Sequence, residues 1–153
     1  KGRFGTVNGT IHADETEPAN SSVEVEIDAA TLDTRADQRD AHLRSADFLD
    51  VANHPTITFR STAVKGAHAE EGDHFKVKGE LTIRGVSREV EPKCTYDGRG
   101  KDPWGGERVS FSAETKIDRR DFGLTWNQAL ETGGILVSND IRINIEVQAV
   151  RET

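Results

Sequence analysis

Apolar and polar side chains alternate with a period of two along most of this chain. In HFKVKGELTIRG, Phe75, Val77, Leu81 and Ile83 take odd positions, with Lys76, Lys78, Glu80, Thr82 and Arg84 between them. In RVSFSAETKID, Val109, Phe111, Ala113 and Ile117 alternate with Ser110, Ser112, Glu114 and Lys116. In DIRINIEVQAV, Ile141, Ile143, Ile145, Val147 and Ala149 alternate with Arg142, Asn144, Glu146 and Gln148. Such a period marks strands with one apolar and one wet face. Weaker versions run through 4–13, 23–30, 56–64 and 86–96, so that seven strands are predicted. Gly85 reads as a tight hairpin between 75–84 and 86–96, and AHAEEGD at 67–73 reads as another turn.

The segment QRDAHLRSADFLD at 38–50 breaks this pattern. At ~100° per residue Ala36 and Leu43 share a helical face, while Phe48 and Leu49 fall elsewhere. The spacing predicts a helical insertion over about 35–51, a break near Ser45, and a second turn aiming two bulky groups at apolar surface. Asp40 and Arg44 lie four apart on one face and are expected to pair weakly. The stretch 121–139 reads as irregular.

One-sided strands with short antiparallel links suggest a meander closed into a barrel, although a two-sheet sandwich alternates in the same way. The inward set is Val25, Ile27, Phe59, Phe75, Val77, Leu81, Ile83, Phe111, Ala113, Ile143 and Ile145. It is either plain core or the wall of an apolar cavity, since a barrel of ~8 strands holds side chains or one small ligand.

Composition narrows the classes. With 34% hydrophobic and 31% charged residues, 153 residues make a single domain over 1–153 with a core of its own. A net charge of -7 argues against a broad nucleic-acid surface. No apolar run approaches the ~20 residues that span a bilayer, so a transmembrane chain is not expected. Cys94 is the one cysteine, which leaves the compartment open. The chain lacks Met and opens on the strand-like KGRFG, so it is expected to start downstream of an initiator, with any signal peptide ahead of it. The histidines His12, His42, His54, His68 and His74 form no ligand spacing, and neither a metal nor a cofactor is expected. His42, Asp47 and His54 could approach one another around the insertion. Asp118, Asp121 and Asp140 sit at strand ends, where carboxylates cap turns. Trp104 in DPWGG and Trp126 in LTWNQ are loop aromatics of a size to seal barrel ends, Trp126 alternatively lying beside a ligand.

The blocks QRDAHLRSADFLDVANHPTITFRST, GELTIRGVSREVEP and DPWGGERVSFSAETKIDRRDFGLTWNQALETGGILVSNDIRINIEVQA resemble the YceI-like family, often called polyisoprenoid-binding proteins. The resemblance implies an all-β, antiparallel, lipocalin-like up-and-down barrel that carries a long isoprenoid in its lumen, a quinone-related head group being one candidate. It hints at a link to stress response. Members usually begin with one more strand, so the first strand is expected to be missing here. Exposed edges would then favour a homodimer through 4–13 or 140–150. Under this reading Leu43, Phe48 and Leu49 plug the mouth, and Phe59, Phe75, Val77, Leu81, Phe111, Ala113, Ile143, Ile145 and Trp126 line the ligand. Arg39 and His42 meet its head, with polar groups gathered at the helical end. The expected function is binding without catalysis; the alternative is an enzyme using His42 with Asp40 or Asp47.

Overall fold

The computed structural model describes residues 1–14, 16–66, 72, 74–101, 103–127 and 137–151. Except for Gly72, the turn expected at 67–73 lies outside them. The strands are β1 (Arg3–Phe4), β2 (Val7–His12), β3 (Ser22–Asp28), β4 (Leu32–Asp33), β5 (Thr56–Lys65), β6 (His74–Ile83), β7 (Val86–Val90), β8 (Lys93–Lys101), β9 (Glu107–Asp118) and β10 (Asp140–Val150). An eight-stranded antiparallel sheet runs β10–β9–β8–β6–β5–β3–β2, with β7 also on β6, while β1 pairs with β4. Neighbours follow chain order, as a meander requires. The sheet curls: Ile27 of β3 and Ile143 of β10 pack against one core cluster although their strands lie far apart in the ladder. Among the described residues no ladder joins β2 to β10, so the expected barrel stands as a curled half-barrel with two edges.

The expected faces hold. Val77 and Leu81 are 6% and 7% exposed, while Lys76 and Glu80 face water. Weak alternation has a local cause. In β5 the register shifts between Ser61 and Ala63, so the inward set passes from Ile57 and Phe59 to Val64. A bulge of this kind flips parity downstream. In β8 a second shift falls between Tyr96 and Gly98. The segment 86–96, read as one strand, is two. Its break at Pro92, which has no N–H to donate, lets β7 pair with Gly79–Ile83 and β8 with His74–Lys76.

The β6–β7 turn places Arg84 and Gly85 at φ 51° and 73°, the left-handed pair that a two-residue hairpin demands. A Cβ on Gly85 would also lie 2.9 Å from His54 Cε1. Gly79 has a different constraint: a Cβ there would stand 2.5 Å from the Phe59 ring. The missing side chain is the space that the ring fills.

The insertion folds as expected. Helix α1 (Asp37–Arg44) stops at Ser45, whose N–H and Oγ both donate to the His42 carbonyl at 3.0 and 2.6 Å. The chain then doubles back, with Leu49 N–H on Leu43 O and Val51 N–H on Arg44 O. The Arg84 guanidinium donates to Phe48 O at 2.9 Å, tying the insertion to the β6–β7 turn. Next to it, Arg119 is 2% exposed. Its guanidinium donates to the carbonyls of Leu124 (2.5 Å), Trp126 (2.8 Å) and Ser138 (2.9 Å). Burial draws its pKa below the ordinary value. Phe122 and Leu124, 1% and 4% exposed, thereby seal the core beneath this end.

Gly79→Val is expected to destabilise the fold by about 2 kcal/mol or more in urea unfolding, because the Phe59 ring must move. Gly100→Ala, at a position open within 4 Å, should stay within about 0.5 kcal/mol of the parent.

Asp118 supplies a pH signature. Hydrogen bonds from the Arg120 side chain and then its backbone N–H lower its carboxyl from 3.8 to about 2. The folded value lies below the unfolded one, so the stabilisation is present above the ordinary carboxylate range and fades as pH falls toward about 2. Asp118→Asn should flatten the stability profile between these two values, read by urea unfolding at a series of pH values.

Candidate functional site

The two halves of the concave face are packed differently. At the α1 end, Ala29, Ile57, Leu81, Ile83, Ile117, Phe122 and Leu124 form a buried cluster, with Phe4, Leu49, Val51, Phe59 and Ile143 against it. Away from that end, a smaller cluster of Val64, Val77 and Cys94 carries Val23, Phe59, Phe75 and Ala113. Phe59 belongs to both and joins them. Beyond it, Phe75, Val109, Phe111, Ala113, Ile145 and Val147 stay only half-buried. Phe111 meets Phe75 edge-on at 5.9 Å between centroids and Tyr96 at 5.5 Å. A half-open groove of about 980 Å³ crosses the same strands but is lined mainly by the wet-face rows, among them His74, Lys76, Thr95, Ser112, Glu114 and Glu146, with Phe75, Ala113 and Ile145 between those rows.

At the α1 end the polar residues satisfy one another. Arg39 donates to Thr34 Oγ1 and Thr34 O, both at 2.8 Å. Asp40, 4% exposed, accepts from the Thr34 N–H at 2.9 Å and from the Thr34 hydroxyl, and that hydroxyl bond is the largest cause holding its carboxyl below the ordinary value. Arg44 donates to the carbonyls of Ala30 (2.9 Å) and Leu32 (2.6 Å). The expected weak Asp40–Arg44 pairing survives only as a minor charge effect of Arg44 on the carboxyl: no direct bond joins them, and each side chain is spent on pinning the 30–34 segment to α1.

His42 is the centre of an aromatic group. Its ring stands edge-on to Trp126 at 4.5 Å and to Phe48 at 5.1 Å, and Phe48 lies 5.3 Å from Trp126. Its Nε2 lies 2.9 Å from Asp47 Oδ2. His54 instead packs under Gly85, so the structure brings together His42 and Asp47 and leaves His54 in another role. Phe48 is buried, while Leu43, Leu49 and Trp126 are half-buried. Trp126 packs at the helical end, on His42 and Phe48. Trp104 does not seal the other: it is 86% exposed. Nothing in DPWGG distinguishes a plug from a projecting ring, because the difference lies in which way the β8–β9 loop leaves the sheet.

Sequence reasoning missed Tyr96, Cys94 and Val64, which reach the concave face only through bulged or broken strands. The Cys94 thiol is pushed up to about 11 by burial, which makes it an inert wall residue. Among the described residues no group of three or more His, Cys, Asp or Glu gathers as a cation site.

The fold recurs in known proteins. Residues 1–149 match the YceI-like domain. Over 123 residues the chain is 44% identical to protein YceI of Escherichia coli, covering 80% of this chain and 62% of that relative. The chain thus spans less than two thirds of that relative's length. The YceI protein of Campylobacter jejuni superposes with a TM-score of 0.83 at 32% identity, covering 100% of this chain and 85% of that one. A polyisoprenoid binding domain from Saccharophagus degradans, implicated in plant cell wall breakdown, shares the fold at a TM-score of 0.69 with 15% identity, covering 96% and 83%. The chain belongs to the YceI-like family.

Proposed function

We propose that the protein binds and carries a long-chain polyisoprenoid on its concave face, with no chemistry of its own. The observation that carries this reading is the half-covered apolar wall of Phe75, Phe111, Ala113 and Ile145, continuous through Phe59 with the packed core. A methyl-and-methylene chain is the matching occupant, since each buried CH₂ stabilises by ~0.8 kcal/mol. A sugar or nucleotide would leave polar groups unpaired against the wall at ~1–3 kcal/mol each. The Saccharophagus degradans relative, a polyisoprenoid binding domain by description, supports the same ligand class. In this reading Leu43, Phe48, Leu49 and Trp126 close one end, and Ile143 with Val77 and Leu81 floors the site. Arg39 and His42 stand nearest the head group. His42 and Asp47 bond each other across the aromatic group, an arrangement that orients a ring rather than presenting a free base.

The experiment is mass spectrometry of an organic extract of purified protein, before and after incubation with an octaprenyl lipid. A retained prenyl chain is expected. Ala113→Phe, which fills the wall between Cys94 and Ile145, should cut retention about tenfold while melting shows the fold intact. Unaltered retention in that folded variant would place the lipid elsewhere and sink the reading.

A further inference from the structure

His42 does more at the α1 end than pack. In a neutral imidazole one ring nitrogen carries a hydrogen and the other a lone pair, and the partner of the first decides the state of the second. Nε2 of His42 lies 2.9 Å from Asp47 Oδ2. A carboxylate only accepts, so the hydrogen sits on Nε2 and Nδ1 is left as an acceptor. Among the described residues no bond is made to Nδ1. The ring stands edge-on to Trp126 at 4.5 Å and to Phe48 at 5.1 Å, so it cannot swing away from Asp47 without leaving both. Its side chain is 39% exposed, which keeps the ring within reach of a ligand. The polar side chains around it bond protein groups instead: Arg39 and Asp40 go to Thr34, Arg44 to Ala30 O and Leu32 O, and Arg84 to Phe48 O. Asp47 beside the ring likewise only accepts.

We infer that His42 selects the head of the carried lipid: its Nδ1 accepts a hydrogen bond, without proton transfer, from a hydroxyl group, which makes the ligand an uncharged prenyl lipid that ends in O–H. The inference rests on the proposed lipid carriage and gives its head group a chemical class. An ether or carbonyl oxygen would set lone pair against lone pair at Nδ1. A phosphate would do the same and bring its charge beside the Asp47 carboxylate, where like charges repel. The neighbouring rings of Trp126 and Phe48 also suit an uncharged head, since a charge set against apolar surface is costly unless it is paired. His42 is in this account a specificity residue. Asp47 is a positioning residue that acts through it, by fixing which nitrogen keeps the hydrogen. An asparagine at that position could donate its amide N–H to Nε2, which would move the ring hydrogen to Nδ1 and turn the acceptor into a donor.

The test measures how well the whole protein retains octaprenol and octaprenyl methyl ether, loaded separately at about pH 8, above the ordinary imidazole range, and read by mass spectrometry of the organic extract. The two lipids share their tail and differ in one O–H, so the ratio of their retention reports the head contact alone. The parent is expected to hold the alcohol about fivefold better than the ether. His42→Phe keeps a ring against Trp126 and Phe48 but has no nitrogen. It should bring the ratio to about one or below, because an alcohol without a partner is costlier to bury than an ether. Asp47→Asn should lower the ratio as well, although the imidazole is still in place. A role confined to closing this end of the sheet would weaken both lipids alike and leave the ratio at the parental value. Melting shows that each variant is folded, and Asp47→Asn carries the test alone where His42→Phe does not fold. Equal retention of the alcohol and the ether by the parent overturns the inference and leaves the lipid carriage standing. An undiminished ratio in either folded variant overturns it too, as does firmer retention of octaprenyl phosphate than of octaprenol. Retention of neither neutral lipid sinks the carriage reading itself, and the inference falls with it.

Discussion

One buried guanidinium holds the α1 end of the half-barrel together. Arg119 spends its donors on carbonyls from both sides of the 119–139 stretch, Leu124 and Trp126 before it returns and Ser138 after. A charged side chain at 2% exposure is costly to desolvate, and only this dense set of acceptors offsets the cost. The consequences run outward from it. Phe122 and Leu124 are set into the core, Trp126 is set against His42 and Phe48, and Phe48 in turn receives Arg84 on its carbonyl. The insertion therefore rests, through Phe48 and Trp126, on residues that Arg119 fixes by side-chain bonds to their carbonyls.

The parts of this fold legible in the sequence were those where each residue answers to one neighbour rule. In β6, β9 and β10 the alternation runs unbroken, and inside and outside follow from parity alone. The insertion was legible because Ser45 ends a helix whose next apolar residues leave its stripe. What stayed hidden depends on partners distant in sequence. Arg119 in KIDRRDFG reads as one more solvated charge, and only the carbonyls of Leu124, Trp126 and Ser138 make it a clamp. Arg44 and Asp40 match a helix-surface pair, yet Thr34, Ala30 and Leu32 claim them. Val64 sits on the wrong parity until the register shift in β5 corrects it, and Tyr96 until the break at Pro92 starts β8 afresh.

The two halves of the concave face express opposite demands on the same strands. Near α1, packing is finished by side chains from outside the sheet: Phe122 and Leu124, 1% and 4% exposed, cover Leu81, Ile83 and Ile117. Farther along, the same strands continue with Phe75, Phe111 and Ile145, but no comparable layer is supplied among the described residues. Val77, Cys94 and Tyr96 are buried there as well, at 6%, 7% and 6%, so what stays half-covered is the row of Phe75, Phe111 and Ile145. β2 and β10, whose outer edges carry no ladder among the described residues, border that same half and the same open face.

The shift between Tyr96 and Gly98 links these observations. Up to that point β8 turns Cys94 and Tyr96 inward, beside Ala113 and Phe111. An unbroken strand would carry on with Gly98 and Gly100 inward, leaving Arg99 and Lys101 on the outside. One extra residue reverses the assignment: Arg99 now pairs with Val109 and Lys101 with Glu107, on the row that continues the wall, and Arg99 Nε reaches the Tyr96 hydroxyl at 3.2 Å. The wall row thus ends in Arg99 and in Lys101 opposite Glu107 because of a single inserted position at Asp97, and a bulge that looks like a defect in the alternation is what turns these charges onto it.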